Sequence, residues 1–249
     1  MKVFLTSVTE RWSIFSLAGP KSREVLQAAD CDIDIEKMSL PFMSCQSCQI
    51  AGIPARLSRI SFSGELAFEI TVNSDYALDL WITLIDKGTP FGITPYGTEA
   101  MHVLRAEKGY PIIGQDTDGS VTPIDLGFSH LISKNKDFIG KRSLFRSDTV
   151  RSDRKQLVGL RPVISDFILP EGAQLVDYPQ STVPVKMIGH VTSSYFSKTL
   201  GSSFALALVK NGHNRKGDKI FAHLMDDSKI PVEICDPVFY DPNNNCQRI

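Results

Sequence analysis

Arg59-Ile60-Ser61-Phe62-Ser63-Gly64-Glu65-Leu66-Ala67-Phe68-Glu69-Ile70 is the stretch that decides how this chain is read. Its pattern predicts a strand, a turn pinned by Gly64, and a second strand. Leu66, Phe68, Ile70 and Val72 alternate with Ala67, Glu69 and Thr71, which gives one apolar face and one mixed face. Glu69 then stands mid-strand on the face opposite Phe68. A carboxylate held there can accept two parallel hydrogen bonds from a flat N–H/NH2 edge such as a pterin or guanine offers. Periodicity alone favours a solvated glutamate on an outer sheet face.

Upstream, Ser13 to Ala18 alternates as a strand, and Gly19-Pro20 opens a helix with Val25 and Leu26 toward the core, fading by Asp30. Pro41 to Ile50 and Ala55 to Phe62 read as strands feeding the central hairpin. Downstream, Asn73 or Ser74 caps a helix expected from Asp75 to about Lys87. Its stripe is Tyr76, Ala77, Leu80, Trp81, Leu84 and Ile85, and Gly88 is the expected stop just beyond it. A second helix is expected from Thr98 to Lys108, with Ala100, Met101, Val103 and Leu104 inward. This pattern predicts an α+β fold with a sheet packed on helices.

Lys141 to Lys155 is rich in charge and serine and marks a boundary, so the chain is expected to divide into residues 1–150 and 151–249. Phe138 to Lys141 is expected to start a connecting helix. Beyond the boundary, short strands at Gln156–Leu160, Ile188–Thr192, Phe204–Val209, Lys219–His223 and Ile230–Ile234 alternate with Pro and Gly turns. They predict a small all-β barrel.

Composition narrows the function classes. The chain has 249 residues, is 42% hydrophobic and carries a net charge of −1. It has no basic stripe for nucleic acid and no apolar run long enough to span a bilayer, so it reads as soluble and cytoplasmic. Cys45 and Cys48 form a CxxC, but the sequence after them reads as strand and turn where a redox motif needs a helix. Two buried or half-buried thiols in a strand region are expected, and no metal site, because Cys31, Cys235 and Cys246 lack zinc-ligand spacing. Asp116, Asp118 and Ser120 open like a calcium loop, but Gly127 stands where its glutamate is needed. The histidines are scattered and are expected to be structural.

The opening stretch resembles the motif Arg-Thr-Gly-Tyr-Thr-Gly-Glu-x-Gly-Phe-Glu of the aminomethyltransferase (glycine-cleavage T-protein) family. Arg59, Gly64, Glu65, Phe68 and Glu69 match, and Phe62 replaces a tyrosine. Leu17 to Leu26 resembles the family's Leu-Gln-Gly-Pro-Lys-Ala segment. Tyr96 to Tyr110, Gly114 to Pro123, Ile188 to Tyr195 and Asp236 to Pro242 extend the likeness to the C-terminal part of the alpha subunits of heterotetrameric sarcosine oxidases.

That resemblance implies an aminomethyltransferase-like domain followed by a barrel, and tetrahydrofolate as the cofactor. It implies a part in turning the C1 unit of sarcosine oxidation into 5,10-methylenetetrahydrofolate. It also implies beta, gamma and delta subunits as partners, with NAD and flavin bound elsewhere in such a complex. The family's pterin-binding glutamate falls on Glu69, with Phe62 against the ring. Its folate-binding arginine falls on Met101, while Arg105 fills the later arginine position, where pairing with Glu107 or a helix-end role is an alternative to ligand binding. Tyr240 is a barrel-side contact or an interface aromatic. The family's catalytic aspartate lies upstream of the Leu-Gln-Gly-Pro segment, so no catalytic residue is assigned, the chain reads as truncated at its N-terminus, and it is expected to be inactive alone. A free-standing aminomethyltransferase and a non-catalytic assembly module are the alternatives.

Overall fold

The computed structural model describes residues 2–179 and 184–249. The chain has two compact units: residues 1–104 with 241–249, and residues 105–240.

The first unit is built on a four-stranded antiparallel sheet of β1 (Trp12–Ala18), β2 (Cys45–Ile50), β3 (Ile53–Ser58) and β4 (Ala67–Asn73), in the order β1-β4-β3-β2. On one face Phe68, Ile70 and Val72 of β4 are fully buried with Leu57 and Ile50. They pack with Val25 and Leu26 of α1 (Ser22–Ala28) and with Leu80 and Leu84 of α2 (Ala77–Gly88). The alternation in β4 therefore does what its sequence implies: every second side chain enters the core.

Several expectations need correction. The strand expected to reach Phe62 ends at Ser58, and β2 begins at Cys45 rather than Pro41. Residues 59–66 are irregular because Arg59 turns inward to reach backbone carbonyls and Gly64 adopts φ +87°. Asn73 accepts a hydrogen bond from Asp75 N–H at 3.1 Å, but a short 3-10 turn, Ser74–Tyr76, precedes α2. Gly88 is the last residue of α2 with φ −82°; the left-handed stop is Gly92, at φ +79°. Gly88 is needed for space, since a Cβ there would come within 2.7 Å of Ile93 Cγ2.

α3 runs Thr98–Glu107. Ala100 is exposed rather than inward, whereas Arg105, Ala106 and Glu107 are buried. In the second unit, residues 138–145 form a 3-10 turn, Lys141–Phe145, instead of a helix. The barrel is closed by β5 (Lys155–Pro162), β6 (Gln174–Val176), β7 (Gly189–Ser197), β8 (Ser202–Lys210), β9 (Lys219–His223) and β10 (Lys229–Cys235), in the order β10-β5-β8-β7-β6-β9. Val158, Leu160, Leu175, Ala207, Ile220 and Val232 fill it. β6 is the strand that the sequence pattern does not reveal, and it joins β9 to β7. Among the described residues no helix is long and apolar enough to cross a membrane.

Candidate functional site

β4 is an interior strand, and its second face is open. Glu69 lies on that face, half-exposed, directly opposite Ser16 of β1 and Ser58 of β3. Both cross-strand neighbours are small serines. Among the described residues it has no hydrogen-bond or ion-pair partner. Arg56 stands on the same face, opposite Thr71. Its guanidinium lies over the Trp12 ring, 4.5 Å from the centroid. That cation–π contact commits Arg56 to the Trp12 end of the sheet. Glu69 is thereby left as an acceptor with unused capacity.

A cavity of about 670 Å³ opens along the free edge of β1. Its walls include Ile14, Ser16 and Ala18 of β1, Trp81 of α2, Tyr96 and Met101. That is a size and an apolar character typical of small-molecule sites. Tyr96 Oη donates to Ser16 Oγ at 3.5 Å. Ser16 is thus shared: it lines the cavity and faces Glu69 across one strand. Glu69 itself is outside the lining.

The other sequence-predicted residues fall as follows. Phe62 is half-buried in the irregular loop before β4. That loop is held by Ser61 Oγ accepting from Gly64 N–H at 3.0 Å and by Arg59. Arg59 is fully buried and donates to the carbonyls of Leu40, Gln247 and Ile249, each at 3.0 Å. Burial, and then the charge of Arg23, pull its pKa down. The motif arginine therefore anchors the loop.

Met101 lines the cavity and offers no charge. Arg105, in the second unit, is fully buried. It donates to Asp116 Oδ2 at 2.5 Å, Ser193 Oγ at 2.8 Å, Tyr110 O at 3.1 Å and Tyr195 Oη at 3.3 Å. Asp116 also accepts from Ile112 N–H, Thr192 Oγ1 and Ser193 Oγ. The ion pair ties the end of α3 to the loop that holds Asp116, and the bonds to Ser193 and Tyr195 add β7; both charges are out of water, so a ligand has no access to that guanidinium. Tyr240 is half-buried and donates its N–H to the Glu107 carbonyl at 2.9 Å. Of the predicted residues, Met101 lines the cavity at the free edge of β1, and Glu69 lies one strand in from it, opposite Ser16. Sequence reasoning missed Ser16, Tyr96 and the Arg56–Trp12 pair; the alternation Trp12, Ile14, Ser16 was the available signal.

Residues 1–136 match the GCVT N-terminal domain, and residues 155–241 the glycine cleavage T-protein C-terminal barrel domain. The chain belongs to the glycine cleavage T-protein family. Within it, the chain is 47% identical over 98% of its length to a sarcosine oxidase subunit alpha from Corynebacterium sp. (strain U-96), of which it spans 26%. It is 31% identical over 88% of its length to an aminomethyltransferase from Thermoanaerobacter sp. (strain X514), of which it covers 57%. The crystal structure of glycine cleavage system aminomethyltransferase T from Bartonella henselae superposes with a TM-score of 0.76. At 24% identity, over 93% of this chain and 60% of that one, it supports the fold. The expected α+β, aminomethyltransferase-like fold with a C-terminal barrel is therefore what the chain adopts.

Proposed function

We infer that this chain supplies the tetrahydrofolate-binding part of a sarcosine oxidase alpha subunit. The observation that carries the reading is Glu69, an unpartnered carboxylate on the open face of an interior strand, at the position of the family's pterin-binding glutamate. Its two oxygens can accept from the pterin N3–H and 2-amino group together. In this account Phe62 packs on the ring and Met101 lies near the glutamyl tail, where an arginine's charge is missing. Arg105 supports the chain structurally. The contribution to chemistry is placement: N5 of the folate is held where a C1 unit released as an imine or formaldehyde can be trapped as 5,10-methylenetetrahydrofolate.

Sarcosine as the substrate of the whole enzyme, beta, gamma and delta subunits as partners, and flavin and NAD bound outside this chain belong to the same proposal. So does the division into residues 1–150 and 151–249, which limited proteolysis near Lys141–Lys155 tests. Titration calorimetry with tetrahydrofolate tests the site. Glu69→Ala should weaken binding roughly 10- to 100-fold, the worth of a charge-assisted bidentate contact. Equal affinity in the variant refutes the assignment. Co-purification with partner subunits without any folate binding would favour the assembly-module reading instead.

A further inference from the structure

The segment that follows α1 lies along the free edge of β2. Cys31 forms an antiparallel bridge with Ile50. Asp32 N–H donates to the Gln49 carbonyl at 3.0 Å, and Gln49 N–H to the Asp32 carboxylate at 2.7 Å. Side chains alternate along β2, so Cys48 shares the inward face with Ile50, the residue opposite Cys31. Cys31 and Cys48 are therefore diagonal neighbours across a strand edge. Both pack in the same apolar cluster. Cys45, the CxxC partner, is on the opposite face of β2 and exposed, so the sequence motif is not the spatial pair.

The two thiols are not equivalent. The hydrogen bond from Cys48 pulls Cys31 down to about 7, against the effect of burial. The same bond, then burial, pushes Cys48 up. Cys31 is thus substantially thiolate near neutral pH and half-exposed, while Cys48 is a buried thiol beside it.

We propose that Cys31 and Cys48 are a peroxide-reactive dithiol that closes into a disulfide across the free edge of β2. The Cys31 thiolate attacks one peroxide oxygen and breaks the O–O bond; hydroxide leaves and takes a proton as water, and Cys31 becomes a sulfenic acid. The Cys48 sulfur then attacks the Cys31 sulfur and expels a second hydroxide, which takes the Cys48 proton and leaves as water. Two thiols and one hydrogen peroxide give one disulfide and two waters, with two electrons passing from sulfur to oxygen. The bond staples the segment after α1 to the sheet that carries Glu69, and it constrains the unfolded chain. It is independent of the folate reading, since neither sulfur is on Glu69's face.

The test is titration of the full chain with hydrogen peroxide, followed by intact mass and non-reducing peptide mapping. The expected result is a 2 Da loss, a peptide pair linked through Cys31 and Cys48, and a linkage unchanged in Cys45→Ser. Cys31→Ser should lose the linkage and slow thiol loss at least 10-fold. Linkage through Cys45, or over-oxidation of Cys31 with Cys48 still free, would overturn the proposal. Because mapping of the unsubstituted chain decides the pairing, a variant that fails to fold does not leave it open.

Discussion

Asp116→Asn probes the ion pair that the second unit buries most deeply. Asp116 and Arg105 are both fully buried, and the carboxylate accepts from Arg105 Nη1 at 2.5 Å, Ile112 N–H at 2.8 Å, Thr192 Oγ1 at 2.5 Å and Ser193 Oγ at 2.7 Å. Asparagine has nearly the same volume, so no cavity opens. It removes the counter-charge and turns one acceptor into a donor that faces donors. Arg105 keeps only neutral acceptors, the Tyr110 carbonyl and the Ser193 and Tyr195 hydroxyls. Breaking one side of a buried pair costs about 3–5 kcal/mol, a large share of the ~5–15 kcal/mol that holds a domain together. With a urea slope of about 1–3 kcal/mol per M, the midpoint by far-UV circular dichroism should fall by 1 M or more, as an order of magnitude. The double variant Arg105→Met with Asp116→Leu should recover much of the loss, because an apolar pair carries no desolvation cost. A single variant within about 1 kcal/mol of the parent, or a double variant worse than the single, would refute the reasoning.

Arg59→Met strands the carbonyls of Leu40, Gln247 and Ile249. Unfolding followed by tryptophan fluorescence should show a loss of about 3 kcal/mol or more, since each of the three unpaired groups costs roughly 1–3. Burial, and more weakly nearby lysines, lower the pKa of His190 and His213. The unfolded chain therefore binds protons first as pH falls below about 6.5, and stability should drop from there downward. Burial opposes ionisation of Asp125, but bonds from Arg154 and Thr122 outweigh it and hold its pKa low. Its contribution is complete above the usual carboxylate range near pH 4 and should be lost as pH falls below it; Asp125→Asn should flatten that part of the acid-denaturation curve. Gly88→Ala should destabilise by about 1–3 kcal/mol through the clash with Ile93, measured by thermal unfolding.

Much of the fold was legible because it rests on local alternation. β1, β4, α2, α3 and five barrel strands follow from residues that repeat at the period of their element. β6 escaped because three residues, Gln174–Val176, are too few to show a period. Residues 59–62 were misread as strand because their form depends on what Arg59 reaches at Leu40, Gln247 and Ile249, far away in sequence. Glu69's placement was readable from Phe68 and Ile70 on either side of it. Its lack of a partner was not, since that depends on Arg56 packing over Trp12. Likewise the Arg105–Asp116 pair joins residues from a helix and a turn-rich loop, and no spacing rule connects them.

The central claim, that Glu69 grips the 2-amino edge of a pterin, is tested most directly by a double-mutant cycle read by calorimetry. Tetrahydrofolate and an analogue lacking the 2-amino group are titrated into the parent chain and into Glu69→Gln. The account predicts a coupling of about 1.5 kcal/mol or more between the carboxylate and the amino group. Additive losses, with coupling near zero, would contradict it.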